Sequence, residues 1–258
     1  MLVDTHCHLN DPKYENVDNV IQNFLREGIS RVFCVGYDMQ SSQSAIEIAK
    51  KYDCVYAIIG IHPENAIEAT PESLQKLKQM CKCSKVIAIG EIGFDYHYAG
   101  YNKELQQNAF VAQIKLAHEV GLPVCIHTRD AIGDTINILQ SHISLLTNGG
   151  VLHCFSESYE VYLQAKALGL KISFGGPLTF KNAKHAPEIV EKMDLSDLIL
   201  ETDCPYLTPE PYRGQCINEP KFVKLVYEKV CTIRHIGMDT LCAQINKNIE
   251  ELFHVPLR

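Results

Sequence analysis

The sequence predicts an α/β chain folded as a closed (β/α)8 TIM barrel, a single domain over residues 1–258. Three observations predict it. Short apolar runs rich in Val, Ile and Cys recur eight times, stretches with helical spacing separate them, and eight such units in about 250 residues match the size of that barrel.

The first run begins at Leu2 and is followed by Val17-Val20-Ile21-Phe24-Leu25, one face of a helix that should stop near Gly28. Runs near Arg31 and Cys54 come next. Thr70-Pro71-Glu72-Ser73 then reads as an N-cap with proline at the first helical position, opening a helix that carries Leu74 and Leu77. A run from Val86 leads to Leu105-Ala109-Ala112-Leu116, with Gly121 where that helix should end. Runs near Pro123 and Gly150 precede Val161-Ala165-Leu168 and its stop at Gly169, and the last two runs begin near Leu170 and Asp197. Strands joined by helical crossovers pair in parallel. The structural rival is an open doubly wound sheet, which usually places Gly-x-Gly-x-x-Gly after its first strand; this chain has Asp4-Thr5-His6-Cys7-His8 there. No repeat, low-complexity tract or linker divides the chain.

Composition narrows the function classes. A hydrophobic content of 46% over 258 residues supports a large core, and no run approaches the roughly 20 apolar residues of a membrane span. The N-terminus lacks a basic-then-apolar secretory pattern, so the expected location is cytoplasmic. The eleven cysteines are scattered, and Cys34, Cys54 and Cys125 lie inside apolar runs, so reduced thiols are expected. A net charge of −7 argues against broad wrapping of nucleic acid, but not against a local phosphate site where bound metal supplies the positive charge. A monomer without an obligate protein partner is the expected state.

In a barrel of this kind, active residues sit at the carboxyl ends of strands. There the sequence places His6 and His8 (strand 1), His62 (strand 3), Glu91 (strand 4), His127 (strand 5), His153 (strand 6) and Asp203 (strand 8). His6 and His8, two apart on an extended segment, point to one side. The remaining histidines, His97, His118, His142, His185, His235 and His254, fall in loops or helices and are read as structural. Histidines with carboxylates and open positions suit catalytic divalent ions better than a closed structural zinc site. Two ions can clamp the attacking and leaving oxygens of a hydrolytic displacement and generate hydroxide near neutral pH. Position alone makes Glu91 the bridge and Asp203 the ligand that accepts the water's proton, and hydrolysis is the expected class.

Asp4-Thr5-His6-Cys7-His8, Gly60-Ile61-His62-Pro63, Gly90-Glu91-Ile92-Gly93-Phe94-Asp95-Tyr96, His127-Thr128-Arg129, His153-Cys154-Phe155-Ser156 and Glu201-Thr202-Asp203 together resemble the TatD-family metal-dependent deoxyribonucleases of the amidohydrolase-like superfamily. The likeness runs in order from residue 2 to Asn218-Glu219-Pro220. It implies one metal held by His6, His8, Glu91 and Asp203 and a second by Glu91, His127 and His153, with Mg²⁺ for activity and Zn²⁺ or Mn²⁺ as alternatives. It implies His62 near the substrate phosphate and Arg129 as a phosphate contact, a role that suits arginine's planar fork. Arg213 belongs to the same substrate rim. The implied activity is phosphodiester hydrolysis by metal-bound hydroxide, as a 3′→5′ DNA exonuclease on single-stranded ends. The alternative is an amidohydrolase-like enzyme acting on a small amide, ester or phosphoester.

Two further residues receive supporting roles. Asp4 shares a face with His6 and His8 and reads as an acid below the metal. Glu201 reads as a carboxylate that orients a ligand, or as a buried acid paired with a lysine. The glycine-rich loop Gly175–Asn182 and its Lys181 stay outside the catalytic set. Three departures from the family pattern mark the rim: Glu157 in place of the usual glycine, Cys204 where serine is frequent, and Gln215-Cys216-Ile217 in a gap one residue longer and without a base.

Overall fold

Eight strands form one sheet in the order β1 to β8, every neighbouring pair parallel. A computed structural model describes residues 1–256, so the last two residues of the predicted domain lie outside the described residues. The strands are β1 (Leu2–Cys7), β2 (Ile29–Val35), β3 (Val55–Ile59), β4 (Val86–Asp95), β5 (Val124–Arg129), β6 (Gly150–Leu152), β7 (Leu170–Phe174) and β8 (Leu198–Leu200). Helices α1 (Val17–Arg26), α2 (Met39–Lys51), α3 (Pro71–Met80), α4 (Lys103–Val120), α5 (Ile132–Ser141), α6 (Tyr159–Ala167) and α7 (His185–Lys192) lie between successive strands, and α8 (Val223–Arg234) and α9 (Met238–Phe253) follow β8. The predicted strand starts fall within two residues of the observed ones.

The helix signals act as the chemistry requires. Thr70 accepts a hydrogen bond from the Ser73 amide with Pro71 at the first helical position, and Asn16, Asn102 and Ser158 cap α1, α4 and α6 in the same way. Gly121 ends α4 at φ 71°, a backbone region costly for residues with a Cβ. The buried face of α4 differs from the apolar spacing read in the sequence. It keeps Ala109 and Leu116 and adds Gln106, Phe110, Gln113, Ile114 and Ala117, with Leu105 and Ala112 only partly covered. Both glutamines earn burial by hydrogen bonding. Gln113 accepts from the Ile61 amide at 2.8 Å and donates to its carbonyl at 2.9 Å. Gln106 does the same for Asp95 at 3.0 and 2.9 Å. One helix thereby fixes the chain where β3 leaves the sheet and where β4 ends.

The barrel closes between β8 and β1 by a different device. One parallel bridge, Cys7 to Cys204, joins the two edges, with the Asp203 amide donating to His6 O at 2.9 Å and the His8 amide to Cys204 O at 2.7 Å. Below that bridge side chains replace the ladder. Thr5 donates its hydroxyl to Leu200 O at 3.1 Å, and Tyr227 of α8 donates to Val3 O at 3.2 Å. Asp4, fully buried, accepts from the Thr202 amide (2.9 Å), the Thr202 hydroxyl (2.6 Å) and the His6 amide (3.3 Å). Burial pushes the Asp4 carboxyl well above its usual range, against those hydrogen bonds.

This seam predicts a difference between two variants in thermal or urea unfolding of the metal-free protein. Asp4→Ala leaves buried donors without an acceptor and is expected to cost about 3 kcal/mol. Asp4→Asn keeps an acceptor oxygen and the uncharged state that burial favours, and should cost less than half as much.

Candidate metal centre

The carboxyl end of the barrel gathers His6, His8, His62, Glu91, His127, His153 and Asp203 into one cluster, all buried except half-buried His127 and Asp203. His6 lies in β1 and His8 one residue past it, both aimed at Asp203: the His6 and His8 Nε2 atoms stand 3.7 and 3.4 Å from Asp203 Oδ1. His153 follows β6 directly, and His127 lies within β5.

Three strand-end expectations are corrected, one of them for Asp203, which lies three residues beyond β8. Glu91 does not end β4, which continues four residues further to Asp95 by pairing Gly93, Phe94 and Asp95 with His127, Thr128 and Arg129. Gly93 allows this, since a Cβ there would stand 2.0 Å from the His127 carbonyl oxygen. His62 lies three residues beyond β3, where it opens the 3-10 turn Pro63–Glu68.

Glu91 divides its two oxygens between two groups of imidazoles. Oε1 lies 2.6 Å from both His127 Nδ1 and His153 Nε2, and Oε2 lies 3.5 Å from His6 Nε2 and 4.0 Å from His8 Nε2. The donor atoms of His6, His8 and Asp203 fall within 4.8 Å of one another, as do those of Glu91, His127 and His153. The donor chemistry fits divalent ions. His6 Nε2 is buried without a hydrogen-bond partner, an arrangement that costs free energy unless a cation takes up the lone pair. The set of imidazole nitrogens and carboxylate oxygens is the kind that zinc, manganese and related ions accept.

Neighbouring groups set the tautomers. His8 Nδ1 stands 3.0 Å from the Val35 carbonyl, which can only accept, so Nδ1 carries a proton and Nε2 is the nitrogen turned toward Asp203. His127 Nε2 lies 3.0 Å from Asp95 Oδ2, so Asp95 orients the ring and leaves Nδ1 toward Glu91. Glu201 pairs with no lysine among the described residues. It accepts from the Cys154 amide (2.7 Å) and the Ser173 hydroxyl (2.5 Å), with Oε1 3.4 Å from His153 Nδ1. Asp203 sits in the left-handed region at φ 57°, and its loop is held by fully buried Asn218, whose amide donates to the Thr202 carbonyl at 3.0 Å and to the Tyr206 carbonyl at 2.5 Å.

His62 differs from the others. Its Nδ1 accepts from the Glu64 amide at 3.2 Å, and burial with His127 alongside holds its pKa down to about 3. It is therefore neutral with its proton on Nε2, 3.8 Å from Glu91 Oε1, and presents a donor to the centre. Arg129 ends β5 on the surface with its guanidinium 5.5 Å over the Tyr98 ring. Arg213 stacks 3.7 Å over Phe180, and no contact ties it to the histidine cluster.

Sequence reasoning assigned no role to Asp95. Its signal was parity, because Glu91, Gly93 and Asp95 fall on one face of a single strand once β4 is extended through them. Gln106, Gln113 and Asn218 carried no comparable signal, since only the packed fold reveals which backbone groups they satisfy.

The fold and the cluster define a metal-dependent hydrolase of the TIM-barrel type. The chain belongs to the TatD related DNase family, whose model matches residues 3–254. It is 41% identical to the metal-dependent hydrolase YabD of Bacillus subtilis over 99% of this chain and all of that one. It is 34% identical to the metal-dependent hydrolase YcfH of Escherichia coli K12, covering 98% of this chain and 96% of the relative. The solved structure of YjjV, a TatD homologue from the same E. coli strain, superimposes with a TM-score of 0.93 at 30% identity, covering 99% of this chain and 98% of that one.

Two measurements test the centre. Without metal, burial lowers the tendency of His8, His127 and His153 to protonate, but Asp203 reverses this for His8, Asp95 with Glu91 for His127, and Glu91 with Glu201 for His153. The net direction is upward for all three, so protons compete with metal at neutral pH. Divalent-ion affinity should fall as pH drops from above the ordinary histidine value through it, and uptake should release protons, read by calorimetry in buffers of different ionisation enthalpy. Asp95→Asn loosens the hold on His127 and should weaken divalent-ion binding at the Glu91, His127 and His153 donors about 10- to 100-fold, measured by metal titration.

Proposed function

We propose that the protein is a two-metal phosphodiesterase acting on DNA, a 3′→5′ exonuclease that removes nucleotides from single-stranded ends. The observation that carries this reading is the division of the Glu91 carboxylate, one oxygen toward His127 and His153 and the other toward His6. His6, His8, Glu91 and Asp203 would hold one ion, and Glu91, His127 and His153 the other. Bound divalent ions supply Lewis acidity at the phosphoryl oxygens and acidify the attacking water. Mg²⁺ is the proposed ion in the cell, with Zn²⁺ or Mn²⁺ able to replace it.

The chain's own groups divide the remaining work. Asp203 is the most exposed carboxylate of the cluster, and His8 and His6 hold it below the usual range despite burial, so it is charged and placed to accept the water's proton. His62 donates from Nε2 to a phosphate oxygen. Arg129 makes no ion pair or hydrogen bond among the described residues, which leaves its fork for a neighbouring phosphate. Arg213 is assigned to the outer rim. Action as a monomer in the cytoplasm is part of this proposal; no helix of the described residues is long and apolar enough to cross a membrane, and all eleven cysteines are free.

One observation favours the alternative, hydrolysis of a small phosphoester, ester or amide: Glu64, Asp130 and Glu157 stand among the loops of the mouth, where a long polyanion is repelled. End-labelled single-stranded DNA separates the two readings. With Mg²⁺ or Mn²⁺ the protein should shorten it stepwise from the 3′ end, and Asp203→Asn should reduce the rate roughly 100- to 1,000-fold. A rate no higher than that of Asp203→Asn would sink the nuclease reading, and turnover in a panel of small esters and amides would replace it.

A further inference from the structure

The exposed large apolar side chains of this protein are concentrated at the mouth of the barrel. Ile67 lies in the segment after β3, Tyr98 and Tyr101 in the segment after β4, and four more in the segment after β8. The first three line a cleft of about 370 Å³, within the size range of small-molecule sites, between the Pro63–Glu68 turn and the start of α4.

The cleft adjoins the metal centre through two residues. Asp95 lines it and touches His127, and Pro63 continues directly from His62. Its walls are aromatic and acidic. Tyr101 stacks on Tyr96 at 4.3 Å and 14°, and Tyr98 carries Arg129 over its ring. Neither lysine nor arginine is among the lining residues, whereas Glu64 and Asp95 both are. Asp95 is engaged with His127 and with the His97 amide, but the Glu64 carboxylate has no hydrogen bond or ion pair among the described residues. A phosphate would be repelled here. A flat ring bearing hydrogen-bond donors would find aromatic faces and an open acceptor.

We infer that this cleft is a nucleobase subsite. It takes the base of the nucleotide that carries the scissile phosphate, stacked on Tyr98, with Glu64 accepting from an amino group on the base edge. The inference rests on the nuclease reading for the identity of the substrate. Arg129 marks the boundary, because its guanidinium lies on the Tyr98 face while its own hydrogen-bonding edge is free for phosphate. Thymine offers Glu64 a single ring N–H between two carbonyl oxygens, so bases with an amino group should be preferred.

Binding measurements keep this inference separate from turnover. The probes are dCMP, dTMP and deoxyribose 5-phosphate, titrated by calorimetry in Mg²⁺. Wild type should bind dCMP about tenfold or more tightly than deoxyribose 5-phosphate, an advantage that stacking supplies and that Tyr98→Ala should abolish and Tyr98→Phe retain. It should bind dCMP about tenfold more tightly than dTMP, and Glu64→Gln should narrow that gap. Tyr98 is 59% exposed, so its replacement tests the surface and not the fold. Equal affinity for dCMP and deoxyribose 5-phosphate, or a preference that survives Tyr98→Ala, would overturn the subsite even if DNA is hydrolysed. Base-dependent binding without DNA hydrolysis would leave the subsite standing and overturn the nuclease reading.

Discussion

The two oxygens of Glu91 hold the centre together, because five imidazoles converge on a carboxylate that would be costly to bury alone. Burial by itself would favour the neutral acid, yet the surrounding histidines, His153 foremost, keep Glu91 ionised far below the usual range. The carboxylate in turn raises His127 and His153 and offsets their mutual repulsion at 3.2 Å. A buried cluster of this kind is stable only when each charge has a partner, which is why its members come as a set and why a divalent ion is the natural further partner.

That carboxylate reaches the centre because the backbone around it is unusually close-packed. Gly60, Gly90 and Gly93 stand where a Cβ would press on a neighbouring strand, so β3, β4 and β5 approach closely at the level of the site. The glutamines of α4 then fix the two strand ends from outside the barrel, Gln113 behind His62 and Gln106 behind Asp95. On the far side of the mouth, Asn218 and the Asp4–Thr202 pair hold the loop that presents Asp203. The candidate metal ligands are thus supported by groups behind them, and geometry at the centre depends on hydrogen bonds up to two side chains away.

The departures from the family pattern fall outside this supporting frame or are absorbed by it. Cys204 is fully buried at the bridge that closes the barrel, where its backbone carbonyl accepts from His8 and its thiol packs beside Cys7. Glu157, in the loop after β6, neighbours Asp130 in the loop after β5, and burial with that neighbour raises its pKa. Arg213 turns to the Phe180 ring in the loop after β7. The individuality of this chain lies in its rim, where one cleft is lined by acids and tyrosines with no lysine or arginine.

Much of this protein was legible in its sequence because the signals were local. Alternation placed His6 and His8 on one side of a strand, capping chemistry located α3 at Thr70 and Pro71, and the spacing of apolar runs gave eight parallel units whose carboxyl ends meet at one mouth. Residues that act through distant partners were not legible. The role of Asp95 beside His127 shows only because β4 runs past Glu91, and the buried stripe of α4 keeps Ala109 and Leu116 but widens to include two glutamines whose partners are backbone groups elsewhere in the chain. The sequence by itself determined which side chains could bind metal and the topology that brings their strands together, since residue type and periodicity are properties of short segments. The tertiary structure alone decided which Glu91 oxygen faces which imidazoles, the ring orientations of His8 and His62, and the aromatic cleft beside the centre, because each depends on distances between strands and loops that no local pattern encodes.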